Sequence, residues 1–106
     1  MEFDMEPDMQ VLGEAEDGFE ALDKAEKLHP QVVVMDIKMP RMDGIAATTE
    51  LCKRNPGSKV VMISLYDDRQ TRDEARVAGA TALVSKCESP ELLLEAIRTT
   101  ASATIH

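Results

Sequence analysis

The chain has 106 residues, of which 43% are hydrophobic and 30% are charged. Its 20 acidic residues outnumber its 12 basic ones, so the formal net charge is −8. This balance argues against direct binding of nucleic acid or anionic membranes, since both require a basic surface. No apolar run approaches the roughly 18 residues of a membrane span, and no signal-peptide pattern opens the chain. We therefore expect one soluble, cytoplasmic domain over residues 1–106.

The front of the chain predicts one short strand and one helix. Residues 1–8 are acidic and irregular, and Met9–Ala15 has the pattern of a short strand. Asp17 follows at the N-cap position of a helix, and Glu20 completes a capping-box spacing. We expect this helix to end before Pro30, because a proline disfavours helical backbone in the residue that precedes it.

The most informative stretch follows this helix. Its apolar run, Val32 to Met35, is stopped by Asp36 and predicts a strand buried on both faces of a parallel sheet. A loop with Pro40 then leads into a predicted helix over Gly44–Arg54. Asp36 stands at the carboxyl end of its strand, where open α/β sheets place ligands and chemistry. Taken alone, composition favours an aspartate that only caps a turn.

Two further strands and two helices complete the pattern. We predict strands over Lys59–Ser64 and Ala82–Lys86. Between them we predict a helix that is capped by Asp67 or Asp68 and ends at Ala78–Gly79. The last helix should begin at Ser89-Pro90 and face inward with Leu92, Leu93, Ala96 and Ile97. Alternation of strands and helices predicts an α/β fold of three layers, a parallel sheet with helices on both faces. Three successive predicted strands end in Asp36, Ser64 and Lys86, which this topology would bring to one edge of the sheet.

These residues carry a resemblance to a known family. The segment Val-Val-Met-Asp-Ile-Lys-Met-Pro-Arg-Met-Asp-Gly around Asp36 resembles the phosphoacceptor segment of response-regulator receiver domains, which act in two-component signalling. The order Asp, Ser, Lys at the strand ends and the pair Gly79-Ala80 extend the likeness. The segment Gly-Glu-Ala-x-Asp-Gly at Gly13–Gly18 resembles the type linked to helix-turn-helix output domains. The resemblance covers Met9 to Ala103 and implies the flavodoxin-like receiver fold.

The resemblance implies a role for each site residue. Asp36 would accept a phosphoryl group from a sensor histidine kinase, Ser64 would be the switch hydroxyl, and Lys86 would bind the phosphoryl oxygens. A Mg²⁺ ion would be held by Asp36 and the main-chain carbonyl of Lys38. Leu83 occupies the switch position at which many family members carry an aromatic residue.

The front of the chain departs from the family. The usual first strand, its acidic pair and the first helix are missing, as in an N-terminally truncated receiver. Because the acidic pair helps to bind Mg²⁺ in the family, a complete metal site would require substitutes, for which Glu14, Glu16 and Asp17 are the candidates. The gap also permits a homodimer in which strands are exchanged, since open strand edges recruit strands.

Two functions therefore remain open. The first is a phosphoacceptor receiver that is not itself an enzyme, presents an output surface over residues 67–103, and regulates transcription through a separate DNA-binding domain. The second is a degenerate receiver that is not phosphorylated and acts as a dimerisation or docking module. A phosphohydrolase with an aspartate nucleophile is disfavoured, because Lys38 stands where a second acid would be needed. A flavin or nucleotide binder lacks a glycine-rich phosphate loop.

Overall fold

A computed structural model describes residues 15–65, 68–86 and 89–102, with the side chains of the last two residues excepted. Strands and helices alternate along the described chain in the order α1 (Gly18–Leu28), β1 (Val32–Asp36), α2 (Gly44–Arg54), β2 (Lys59–Ser64), α3 (Arg69–Ala78), β3 (Ala82–Ser85) and α4 (Pro90–Ser102). The predicted strand over Met9–Ala15 lies almost wholly outside the described residues. None of the described helices is both long and apolar enough to cross a membrane.

The described strands form a parallel sheet in the order β1-β2-β3. Val33 of β1 is in register with Val60 of β2, and Ile63 of β2 is in register with Val84 of β3. The predicted parallel α/β architecture is therefore confirmed. Since all three strands run in the same direction, their carboxyl ends lie along one edge of the sheet.

Helices cover both faces of this sheet. Side chains on successive residues of β2 point to opposite faces, as the period of a strand requires. On one face, the buried core lies under α1, α2 and α3 and is formed by Leu22, Ala25, Met35, Ala47, Leu51, Val60, Met62 and Ala75. On the other face, Val61, Ile63 and Val84 pack against Leu93 of α4. The sheet is thus the middle layer of three.

Three helices begin at a capping aspartate, as was predicted for α1 and α3. Asp17, Asp43 and Asp68 are the N-caps of α1, α2 and α3. In each case the carboxylate accepts a hydrogen bond from the N–H three residues further on, at 2.9, 2.8 and 2.7 Å respectively. His29 ends α1 with a φ of 46°, and Gly79 ends α3 with a φ of 110°. Gly79 thereby adopts the left-handed conformation that its position predicts.

Two predictions about burial were wrong. Within β1, which was expected to be buried on both faces, only Met35 is buried and the other residues are half-buried. Among the described residues β1 pairs with β2 alone, whereas β2 pairs with both β1 and β3. Leu92 was expected to face inward but is 45% exposed, whereas Leu93 is 4% exposed. Leu93 packs on the sheet together with Ala96 and Ile97, whereas Leu92 lies outside this apolar stripe of α4.

Candidate functional site

The last residue of β1 and the residue after β3 meet at the carboxyl edge of the sheet. Lys86 Nζ donates a hydrogen bond to Asp36 Oδ2 at 2.6 Å. The other carboxylate oxygen, Oδ1, accepts a hydrogen bond from the main-chain N–H of Lys38 at 3.1 Å. The lysine and the aspartate are 50 residues apart in sequence. Their contact is therefore a product of the sheet topology.

This contact is open to solvent. The side chain of Asp36 is 32% exposed and that of Lys86 is 31% exposed. Each oxygen of the carboxylate has its own donor, a cation for Oδ2 and a main-chain N–H for Oδ1, so the group is held in one orientation. A reactant can therefore reach an oriented carboxylate that lies beside a positive charge.

Ser64 lies at the end of the strand between these two residues. It is buried, with 6% of its surface exposed, and its register partner on β3 is Ser85. Its carbonyl oxygen accepts a hydrogen bond from the N–H of Lys86 at 2.7 Å. The main chain of Ser64 thus fixes the backbone from which the lysine side chain extends.

The loop between β1 and α2 folds back onto the end of β1. The N–H of Gly44 donates a hydrogen bond to the carbonyl oxygen of Ile37 at 2.8 Å. A Cβ atom on Gly44 would lie 2.2 Å from the carbonyl oxygen of Asp36, a distance that real Cβ atoms do not adopt. Glycine is required here because the backbone of α2 approaches the backbone of the site so closely.

Asp17 has a second contact, which the sequence reasoning missed. Its Oδ1 accepts the capping bond from the Glu20 N–H, and its Oδ2 accepts a hydrogen bond from Arg41 Nε at 3.0 Å and forms an ion pair with Arg41 Nη2. The Glu20 N–H and the Arg41 guanidinium together hold the pKa of the Asp17 carboxyl below its ordinary value. Both oxygens are therefore engaged. The two residues are 24 positions apart and share no periodic pattern, so no sequence signal linked them.

The residues expected to hold Mg²⁺ lie only partly within the described chain. Glu14 is outside it, and Glu16 is exposed. Across residues 15–65, 68–86 and 89–102, no three His, Cys, Asp or Glu side chains are grouped closely enough to hold a metal ion. Mg²⁺ commonly takes one or two carboxylates and completes its shell with water and phosphate oxygens. Asp36 is suited to be one such ligand, but the described residues do not complete the site.

Leu83 lies on β3, which β2 separates from the strand that ends in Asp36. It is half-buried and packs against the core under α1, α2 and α3, whereas its neighbour Val84 faces α4. Its side chain is thus part of the packing that supports the sheet near its carboxyl edge. Its assignment as a switch position stays a prediction.

Comparison with known proteins identifies relatives of this chain. The family model of the response regulator receiver domain matches residues 2–98. The transcriptional regulatory protein DegU of Brevibacillus brevis is 36% identical over 104 residues, which are 96% of this chain and 44% of that protein. A protein-glutamate methylesterase/protein-glutamine glutaminase of Myxococcus xanthus is 45% identical over 87 residues, 81% of this chain and 25% of that protein. The chain thus spans less than half the length of these relatives.

A solved structure gives the same result for the fold. The response regulator domain of Thermotoga maritima CheB superimposes with a TM-score of 0.84 at 35% identity, over 93% of this chain and 81% of that one. The matched fold is the flavodoxin-like fold of receiver domains, as the sequence predicted. Because the family model spans most of the sequence and the fold agrees, this chain belongs to the response regulator receiver domain family.

Proposed function

We propose that this chain is the phosphoacceptor domain of a two-component response regulator, in which Asp36 receives a phosphoryl group from a sensor histidine kinase. The observation that carries the proposal is the contact between Asp36 and Lys86 at a solvent-accessible sheet edge. A carboxylate can act as a nucleophile toward phosphorus when the charge of the phosphoryl oxygens is neutralised. The ammonium group of Lys86 supplies a positive charge at the required place.

The transfer proceeds by exchange of one bond to phosphorus for another. A carboxylate oxygen of Asp36 forms the new O–P bond, while the bond from phosphorus to the donor's histidine nitrogen breaks and the donor keeps the electron pair. Lys86, which pairs with the carboxylate before transfer, then pairs with the phosphoryl oxygens. The hydroxyl of Ser64 moves toward the phosphoryl group and donates a hydrogen bond to one of its oxygens, and the packing around Leu83 adjusts to this movement.

Two elements of this proposal depend on the family. Mg²⁺, when bound, would neutralise phosphoryl charge, with Asp36 and the main-chain carbonyl of Lys38 among its ligands and Glu14 and Glu16 as candidates for the others. DegU is named as a transcriptional regulatory protein. By analogy, this chain would control transcription through a separate output domain, which it would contact with its surface over residues 67–103. The receiver itself would be a cytoplasmic, non-enzymatic module that pairs with a second copy.

A second function is favoured by one observation. In the described part of the chain, the site has no group of three metal-binding side chains. A receiver without a complete metal site would not be phosphorylated and would serve as a dimerisation or docking module.

Intact-protein mass spectrometry separates the two functions. The protein is incubated with Mg²⁺ and a small acyl phosphate, alongside Asp36→Asn and Asp43→Asn. Asp43 is the matched control, because it is an exposed carboxylate in the adjacent loop and asparagine preserves its capping of α2. We expect one phosphoryl adduct on the parent and on Asp43→Asn, and none on Asp36→Asn. Folded parent protein without an adduct would favour the docking module.

A further inference from the structure

The loop that follows β1 is attached to the first turn of α1. Arg41, in the middle of this loop, binds the Asp17 carboxylate through two of its nitrogens. The same guanidinium lies over the ring of Phe19, with its central carbon 5.9 Å from the ring centroid. Asp17 is buried while most of Arg41 is exposed. The arginine therefore folds over the start of α1 and closes it from the solvent side.

The main chains of the two segments are also in contact. The N–H of Gly18 donates a hydrogen bond to the carbonyl oxygen of Met42 at 3.1 Å. A Cβ atom on Gly18 would lie 2.6 Å from that oxygen, so a larger residue could not stand there without movement of the loop. Arg41 itself has a φ of 66°. A non-glycine residue is uncommon in this conformation and persists there only where its surroundings hold it.

The loop held by these contacts is the one that orients the Asp36 carboxylate. At its start, the Lys38 N–H donates to Asp36 Oδ1, and at its end the Gly44 N–H donates to the carbonyl oxygen of Ile37. Arg41 lies between these two bonds. If Arg41 released the loop, the backbone at both hydrogen bonds would be free to move, and the orientation of the Asp36 carboxylate would be less well defined.

We propose that Asp17 and Arg41 form a positioning pair, here called the loop clamp, which fixes the β1–α2 loop and thereby the Asp36 carboxylate for phosphoryl transfer. This inference rests on the proposed phosphoacceptor function. Both members act through the loop and are positioning residues.

Two substitutions open the clamp while preserving the rest of the fold. Asp17→Asn keeps a good N-cap for α1 but removes the charge that pairs with the arginine. Arg41→Gln removes the guanidinium from a largely exposed position. Arg54→Gln is the matched control, because Arg54 forms an exposed ion pair with Glu50 at 3.3 Å at the far end of α2, away from the loop.

Amide hydrogen exchange measured by NMR tests the positioning independently of phosphorylation. We expect the amides of Lys38 and Gly44 to exchange faster in both clamp variants than in the parent or in Arg54→Gln. The double variant should add little to either single one, because each single substitution already opens the same contact. Unchanged exchange at both amides would overturn the proposal.

Phosphorylation kinetics test the consequence for transfer. With a small acyl phosphate and Mg²⁺, we expect each clamp variant to lower the maximal rate by about tenfold, within the range that misplacement of a reacting group produces. The half-saturating donor concentration should change little, because the clamp does not touch the donor. A phosphorylated parent whose clamp variants react at the parent's rate would overturn the clamp and leave the proposed function standing. A parent that takes no phosphoryl group would overturn the proposed function, and the exchange data would still decide whether the clamp holds the loop.

Discussion

The interior of the sheet and its carboxyl edge are built from the same three strands but have opposite properties. In the interior, Val60, Val61 and Met62 of β2 have no exposed surface. At the edge, Asp36 and Lys86 are each about a third exposed and are held by hydrogen bonds instead of packing. Each strand therefore contributes to the packed core along most of its length and places its functional groups at its carboxyl end.

The two regions should also differ in what they contribute to stability. Burial of a Val or Met side chain stabilises a fold by about 1.5–3 kcal/mol. An ion pair as exposed as that of Asp36 and Lys86 contributes about 1 kcal/mol or less, because solvent screens it. Substitutions in the interior should thus change stability and spare the chemistry, and substitutions at the edge should do the reverse.

The largest effect on stability is expected in the interior, at Met62. Met62→Ala leaves a cavity between the sheet and its helices and should lower the free energy of unfolding by about 2–5 kcal/mol. Urea denaturation measures this change, and Val77→Ala, at a residue that is 80% exposed, is the control. Folded Met62→Ala protein should still accept a phosphoryl group on Asp36. A loss of stability no larger than that of the control would contradict the packing described here.

Gly44→Ala breaks the comparison, because Gly44 lies at the edge but should behave as an interior residue. The added methyl group would overlap the carbonyl oxygen of Asp36. We expect a loss of about 1–3 kcal/mol, as for overpacked sites, together with slower phosphorylation. Gly57→Ala is the control, since a Cβ atom on Gly57 would have no neighbour within 4 Å. Equal stability of the two variants in urea denaturation would refute the close approach.

Lys86→Gln sharpens the comparison from the other side. Its effect on the free energy of unfolding should be below about 1 kcal/mol, whereas the rate of phosphorylation should fall by about 10²-fold, as for the loss of one charge-stabilising donor. Lys24→Gln is the control, because Lys24 forms a similarly exposed pair with Glu20 at 3.1 Å. A variant of Lys86 that is phosphorylated at the parent's rate would remove the lysine from the proposed site.

The smallest expected effect is on the stability of the fold in acid, through the Asp68 cap of α3. The pKa of Asp68 is held below its ordinary value by hydrogen bonds from the N–H and hydroxyl of Thr71. Its contribution to stability is therefore complete above the ordinary aspartate pKa of about 3.9 and is lost as the pH falls through the lower folded value. The free energy of unfolding should decline between pH 5 and pH 2, and we expect Asp68→Asn to make this decline smaller. Urea denaturation at a series of pH values in this range measures the change. An unchanged decline would show that this cap does not titrate with folding.

Much of the fold could be predicted because its signals are local. The bounds of α2 and β2 agree with those predicted, since a loop with a proline precedes the helix and an apolar run forms the strand. The meeting of Asp36 with Lys86 also followed, because parallel strands share one carboxyl edge. These predictions required only short-range patterns and one topological rule.

The features that were not predicted depend on contacts between distant segments. The half-burial of β1 depends on the elements that pack around the strand, which its own apolar run does not encode. The pair of Asp17 with Arg41 joins two loops that no sequence period relates. Both features depend on how the fold packs distant segments against each other.

The central claim is that the carboxyl edge, through Asp36, accepts the phosphoryl group. Its most direct test is to treat the phosphorylated protein with borohydride, which reduces an acyl phosphate to an alcohol, and to map the modified residue by peptide mass spectrometry. We predict homoserine at position 36 and at no other aspartate, Asp43 included. Modification at Asp43 or another carboxylate, with position 36 unmodified, would contradict the account.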